Sequence, residues 1–211
     1  MHPDEADLIE ALEAEAAADR DPAATPDVGI IMGSDSDLEV MLTGGDRPGA
    51  YDALVDELGF AEVTDAADPP DARFTFEAYV VSAHRTPELM YTYAATAADR
   101  GLSVIIAGAG GKSADLPNMT ASIAYPVPVV GVPVQEKSVD SVIGMPHGAP
   151  IVAVDAGKSY NAALFAAQVL AIEEPELRER LARFHEEQAG AVARTSASLH
   201  GQGTRTFRES R

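Results

Sequence analysis

The chain has 211 residues with 46% hydrophobic content, enough for one sizeable core, and a formal net charge of −19. It contains no cysteine, which excludes a disulfide framework, a Cys-based zinc site and a thiol nucleophile. Its negative charge disfavours binding to nucleic acid and to anionic membranes, and no apolar run approaches the roughly 18 residues of a membrane span. The N-terminus lacks the features of a signal peptide, so a cytoplasmic location is expected.

The acidic composition has two interpretations. Acidic residues outnumber basic ones by 34 to 15. A solvated surface that keeps the protein soluble explains this excess, and so does adaptation to high salt, where screening shortens the range of self-repulsion. In either case, an anionic substrate has to be bound by cations placed locally at its site.

Residues 1–26 are predicted to form an acidic N-terminal extension that ends in a polar linker from Asp21 to Pro26. From Val28 onward, short apolar runs alternate with helical stretches: VGIIM, AYVVS, SVIIAG, PVVGV and IVAV. Continuous apolar runs are typical of strands buried on both faces of a parallel sheet. The predicted fold class is therefore α/β, a doubly wound sandwich with a parallel central sheet.

The first strand, VGIIM, leads directly into GSDSD at residues 33–37 and then into a helical stretch. The carboxyl end of a strand and the N-terminus of a helix are where open α/β sheets bind phosphates. Ser34 and Ser36 can donate hydroxyl groups there, and Asp37 can accept from ribose hydroxyls. Plain helix capping explains the same residues, because Ser and Asp are preferred N-cap residues.

The second strand follows a polar segment, about Glu62 to Glu77, that is predicted to be an inserted surface loop. The strand ends in SAHRTP at residues 82–87, and its proline suits the first turn of a helix. His84 and Arg85 should therefore project at the same sheet edge as the first motif. Histidine exchanges protons near neutral pH and arginine grips phosphate, although a turn histidine can also serve only as a hydrogen-bonding residue.

The third strand opens into a loop of small residues, Gly108, Ala109, Gly110 and Gly111, whose backbone can approach a ligand closely. The loop lacks the spacings of the dinucleotide-binding and Walker motifs, and a flexible turn is the alternative interpretation. No Asp/Glu/His cluster has ligand spacing, so no metal site is predicted.

Two helical segments follow the last strand, and the second of them begins near Pro175. The predicted domain organisation is an acidic extension at 1–26, a catalytic domain at 27–172, and a C-terminal helix with a flexible tail at 173–211.

Five motifs occur in an order that resembles the PurE family, the carboxyaminoimidazole ribonucleotide mutases of purine biosynthesis: GSDSD, SAHRTP, AGAGG…LPNM, PVVGVPVQ and MPHGAP. The resemblance covers about residues 27–172. It implies a flavodoxin-like three-layer α/β/α sandwich, a homo-octamer whose active sites are completed by neighbouring subunits, and no metal or organic cofactor. The implied reaction converts N5-carboxyaminoimidazole ribonucleotide to 4-carboxy-5-aminoimidazole ribonucleotide.

The resemblance also implies roles for the residues of the first two motifs. Ser36 and Arg85 would hold the 5′-phosphate of the ribonucleotide, and Asp37 would hold the ribose hydroxyls. Ser34 and Ser82 would contact the base or carboxylate region.

His84 would be the acid/base, and residues 108–111 would retain carbon dioxide in a small pocket. One departure from many bacterial relatives is the loop from Lys112 to Asn118, which is one residue longer and lacks their histidine. Two alternatives stay open, the first of them because of this altered loop. One is direct carboxylation of aminoimidazole ribonucleotide with carbon dioxide, and the other is a non-catalytic nucleotide-binding module.

Overall fold

The computed structural model describes residues 1–18, 25–43 and 47–210. Within these residues, six strands form one parallel sheet in the order β2-β3-β1-β4-β5-β6. The strands are β1 Val28–Met32, β2 Ala61–Glu62, β3 Thr75–Val80, β4 Val104–Ala109, β5 Val129–Pro133 and β6 Val152–Ala153. The parallel α/β sheet predicted from the apolar runs is confirmed.

Helices cover both faces of the sheet, which makes the fold a three-layer sandwich. They are α1 Pro3–Ala17, α2 Leu38–Met41, α3 Pro87–Thr96, α4 Leu116–Ile123, α5 Val139–Ile143, α6 Ser159–Leu170, α7 Pro175–Gln202 and α8 Thr204–Glu209, with a π-helix at Asp52–Glu57. Across the described residues, no helix is long and apolar enough to cross a membrane.

The two core clusters lie on opposite faces of the sheet, and β1 contributes to both. Ile30 and Met32 pack with the α6 layer, whereas Ile31 packs with the α3 layer. Gly29 is required on the α3 side, because a Cβ atom there would lie 2.2 Å from the hydroxyl oxygen of Tyr93. Alternation along a fully buried strand thus joins the two layers.

The N-terminal helix is packed against the domain, although residues 1–26 were predicted to be an extension outside it. Helix α1 contacts α3, and Leu12 is 1% exposed within the α3-side cluster. Glu15 also lies 3.4 Å from the guanidinium of Arg100. Apolar packing, to which Ile9 also contributes, and an ion pair therefore hold α1 in place. Residues 21–24 of the predicted linker lie outside the described residues.

Two other boundaries differ from the predictions. Strand β3 begins at Thr75, so the polar loop after β2 is shorter than the predicted segment from Glu62 to Glu77. Phe74 and Phe76 are buried and anchor the start of this strand in the core. The predicted flexible tail is helical, because α7 spans 28 residues and α8 follows after Gly203, whose φ of +76° ends α7.

Candidate active site

A cavity of about 450 Å³ opens at the carboxyl edge of the sheet, where the loops after β1, β3, β4 and β5 meet. It collects nearly all of the residues predicted from the sequence: Ser34, Ser36, Asp37, Ser82, His84, Arg85, Ala109, Gly110 and Gly111. Gly108 is the exception, because this residue of β4 does not line the cavity. A Cβ atom at Gly108 would lie 2.0 Å from the sulfur of Met41, so its small size serves packing.

The loop after β1 is organised by hydrogen bonds among its own residues. The Ser34 hydroxyl donates to Asp35 Oδ1 over 2.9 Å, and the Ser36 amide donates to the same oxygen over 3.0 Å. The Ser36 amide also reaches Ser34 Oγ at 3.4 Å, so Ser34 caps the short 3-10 turn that follows. The capping interpretation therefore holds for Ser34, and the Ser36 hydroxyl remains at the cavity wall.

Asp37 is a buried carboxylate in this wall, with 6% of its surface exposed. Burial raises the pKa of Asp37, while the Gly110 amide and the charge of Arg85 oppose the rise without cancelling it. A Cβ atom on Gly110 would approach Asp37 Oδ1 to 3.1 Å. Glycine at this position therefore lets the loop backbone reach the carboxylate.

Arg85 ties the loops after β1 and β3 together. Its Nη2 donates to the carbonyl oxygen of Gly33 over 2.8 Å, and its Nε approaches Ser82 Oγ at 3.4 Å. The Ser82 hydroxyl also accepts from the Arg85 amide at 3.2 Å. These two side-chain contacts use only part of a guanidinium that carries five N–H donors, so Arg85 keeps donors for an anion in the cavity.

His84 stands at the mouth of the cavity with 62% of its side chain exposed. Its Nε2 lies 3.1 Å from Oδ2 of Asp115, which belongs to the loop between β4 and α4. Asp115 was not among the site residues predicted from the sequence. A parallel sheet brings the loop after β4 to the same edge as the loop after β3, but that rule does not show that the side chain of Asp115 turns toward His84.

Two further cavity residues, Gln135 and Lys137, come from the loop after β5 and were also missed. Lys137 supplies a second cation beside Arg85, whereas the exposed Lys112 does not line the cavity. The cavity lining thus carries two cations, Arg85 and Lys137, beside two carboxylates, Asp37 and Asp115, in a protein whose net charge is −19. An anionic ligand can therefore be bound locally despite the overall repulsion.

The family model described as AIR carboxylase matches residues 27–191. The chain belongs to the AIR carboxylase family. This finding confirms the resemblance to PurE, and the matched segment extends into α7, beyond residue 172 where the catalytic domain was predicted to end.

Curated relatives of this AIR carboxylase family member carry two different names. The chain is 42% identical over 180 residues to the N5-carboxyaminoimidazole ribonucleotide mutase of Mycobacterium tuberculosis, and the match covers 82% of this chain and 90% of the relative. A Synechocystis mutase is 41% identical over 189 residues, covering 87% and 94%. The chloroplastic phosphoribosylaminoimidazole carboxylase of Vigna aconitifolia is 37% identical over 209 residues, which span 96% of this chain but only 33% of that protein.

Among solved structures, the crystal structure of Treponema denticola PurE matches this family member with a TM-score of 0.60 at 22% identity. The match covers 82% of this chain and 97% of that one, and it confirms the flavodoxin-like fold. Within residues 1–18, 25–43 and 47–210, no group of three or more His, Asp or Glu side chains is placed to hold a metal ion.

Proposed function

We propose that this enzyme is a mutase that converts N5-carboxyaminoimidazole ribonucleotide to 4-carboxy-5-aminoimidazole ribonucleotide in purine biosynthesis. The observation that carries this assignment is that His84 and Arg85 line the same cavity. His84 can carry a proton, and arginine is a residue that commonly binds phosphate. The two relatives described above that are named as this mutase match the chain along 90% and 94% of their own length.

The ribonucleotide is bound through its phosphate and its ribose. Arg85, whose guanidinium keeps donors free beyond Gly33 and Ser82, binds the 5′-phosphate together with Ser36. The buried carboxylate of Asp37 accepts hydrogen bonds from the ribose hydroxyls. Ser34 and Ser82 lie toward the base or carboxylate region.

His84 then moves one proton twice. The bond between the exocyclic nitrogen and the carboxyl carbon breaks, its electron pair stays on nitrogen, and the imidazolium of His84 protonates that nitrogen as carbon dioxide leaves. Ring carbon 4 attacks the carbon dioxide, and the neutral imidazole removes the proton from carbon 4, which restores the starting state. The small residues 109–111 line the cavity in which carbon dioxide is retained. Both steps need only a proton carrier, so no cofactor enters the scheme.

Direct carboxylation of aminoimidazole ribonucleotide is the second candidate. It is favoured by the relatives named phosphoribosylaminoimidazole carboxylase, one from Vigna aconitifolia and one from Schizosaccharomyces pombe. This chain spans only about a third of those proteins, 33% and 31% of their lengths. The same cavity would serve, with the first proton transfer omitted and carbon dioxide taken from solution.

The deciding experiment compares two substrate sets with the purified protein in molar KCl. One is N5-carboxyaminoimidazole ribonucleotide, and the other is aminoimidazole ribonucleotide with bicarbonate. Formation of the product carboxylated at carbon 4 is followed in both. Faster turnover of the first set supports the mutase, faster turnover of the second makes the protein a direct carboxylase, and binding without turnover of either refutes both.

We also propose a cytoplasmic homo-octamer in which neighbouring subunits complete each active site, with residues 27–172 as the catalytic domain. The exposure of His84, 62% of its side chain, is consistent with a site that a neighbour covers. The acidic charge is proposed to be an adaptation to high salt. Light scattering in dilute and molar KCl measures the assembly, and a monomer at both salt concentrations would contradict the octamer.

A further inference from the structure

Asp115 connects the histidine of the cavity to the helix layer behind it. Its Oδ2 lies 3.1 Å from Nε2 of His84, and its Oδ1 accepts from the Ser141 hydroxyl over 3.1 Å. Ser141 belongs to α5, and its own carbonyl oxygen accepts from the side-chain amide of Asn118 over 2.7 Å. Both oxygens of the carboxylate are thus engaged, one by the histidine and one by a half-buried serine.

The ordinary role of an aspartate at this place does not explain these contacts. Asp115 is the N-cap residue of α4, and an N-cap aspartate usually accepts from the first turn of its helix. The side chain of Asp115 makes no such bond. Its carboxylate is turned instead toward His84 on one side and Ser141 on the other.

His84 needs an anchor of this kind. The imidazole is 62% exposed on a loop, and an exposed side chain changes rotamer on a picosecond to nanosecond timescale. Arg85, the next residue, is held by Gly33 and Ser82, but those bonds do not orient the neighbouring ring. A carboxylate bonded to one ring nitrogen fixes both the ring orientation and the tautomer.

We propose that Asp115 is a positioning residue that holds His84 as the Nε2–H tautomer, an assignment that rests on the function proposed above. In this assignment the Nε2 proton faces Asp115 Oδ2, which lies 3.1 Å away, so Nδ1 is the nitrogen that exchanges the proton with the substrate. The carboxylate also stabilises the imidazolium that forms when carbon 4 is deprotonated. Asp115 itself neither gives nor takes a proton.

The kinetic test compares Asp115→Asn and Asp115→Glu with the wild type. A positioned acid/base contributes roughly 10²–10⁴-fold to rate, and loss of its orientation is expected to lower kcat of Asp115→Asn by roughly 10- to 100-fold. KM should change by no more than about twofold, because the phosphate and ribose contacts stay. Asp115→Glu should recover part of the lost kcat.

Two other variants separate positioning from general effects. Asp140→Asn removes an exposed carboxylate from α5, next to Ser141, and is expected to leave kcat and KM unchanged. Ser141→Ala removes the second anchor of Asp115 and is expected to lower kcat by a smaller factor than Asp115→Asn. It also replaces Asp115→Asn as the test if that protein does not fold.

Nitrogen NMR of the histidine side chains tests the same assignment without turnover. Signals of His84 are identified by their loss in His84→Asn. The wild-type ring is expected as the Nε2–H tautomer, and Asp115→Asn should shift it toward a mixture. A wild-type Nδ1–H tautomer, or wild-type kcat in Asp115→Asn, would overturn the positioning role. If the wild type turns over neither substrate set but shows the expected tautomer, the proposed function fails and the positioning stands.

Discussion

Replacing Glu77 with leucine is expected to lower the free energy of unfolding by about 3–5 kcal/mol, because it leaves a buried arginine without its counter-ion. Arg100 is fully buried and Glu77 is 4% exposed. The guanidinium donates twice to the carboxylate, over 2.8 Å to Oε1 and 3.0 Å to Oε2. Burial works against the charge of Arg100, but Glu77 outweighs it and the pKa of Arg100 stays above its usual value.

The remaining neighbours of Arg100 set where in this range the cost falls. Two charge-assisted hydrogen bonds are lost, each worth about 1.5–3 kcal/mol. Glu15 of α1 lies 3.4 Å from Nη1 and is 16% exposed, so it can offset part of the loss. Tyr93, whose ring centroid lies 4.7 Å from Arg100 Cζ, adds a cation–π contact that survives the change. These contacts favour the lower end, about 3 kcal/mol.

The assay is a double-mutant cycle in urea with Glu77→Leu, Arg100→Met and the double variant, followed by circular dichroism at several protein concentrations and constant salt. The double variant should recover to within about 1 kcal/mol of the wild type, because no buried charge is left unpaired. A Glu77→Leu protein within about 1 kcal/mol of the wild type, or a double variant no more stable than the single ones, would refute the reasoning.

His84→Asn is expected to lower kcat by roughly 10²–10⁴-fold, while the affinity for the ribonucleotide product, measured by calorimetry, stays unchanged. Equal loss of kcat and of product affinity would argue against proton transfer by His84. Asp37→Asn should raise Tm at neutral pH. It should also raise KM by about tenfold, because a ribose contact is weakened. The effect on Tm is expected because burial raises the pKa of Asp37 in the native state above its unfolded value of 3.8. Between the unfolded and the native pKa the native state binds more protons, so the stability of the wild type falls as pH rises through that window. A Tm profile against pH that the substitution leaves unchanged would contradict this. Gly111→Ala, at a φ of +87°, should cost about 1–2 kcal/mol in urea unfolding, and no cost would show that the loop relaxes. Tm of the wild type should rise from dilute buffer to molar KCl, since screening reduces the repulsion of a −19 charge, and no rise would exclude salt adaptation.

Strands β1, β4 and β5 could be predicted because every one of their residues is buried. The predicted run VGIIM coincides with β1, Val28–Met32, at both ends, because every residue of the run is buried. Strand β3 starts at Thr75, three residues before the predicted run AYVVS, because its first half, TFE, alternates polar and apolar residues and does not form a continuous apolar run. Glu77 reads as a surface residue in the sequence, yet it is buried against Arg100.

The candidate site could be predicted wherever its residues directly follow a recognisable strand. His84 and Arg85 follow β3, and Ser34 and Ser36 follow β1, so strand order alone brings them to one edge. Asp115 lies six residues after β4 ends at Ala109, and only the course of the loop turns its carboxylate toward the histidine.

The α/β class, the parallel sheet and the edge at which His84, Arg85 and the glycine loop meet follow from the sequence alone, because they depend on local patterns and on a rule that all parallel sheets obey. Three contacts are visible only in the folded molecule: α1 packs on α3, Glu77 pairs with Arg100, and Asp115 reaches His84. Each of these contacts joins residues distant in the chain, and such pairing depends on how the helices pack on the sheet rather than on any local periodicity.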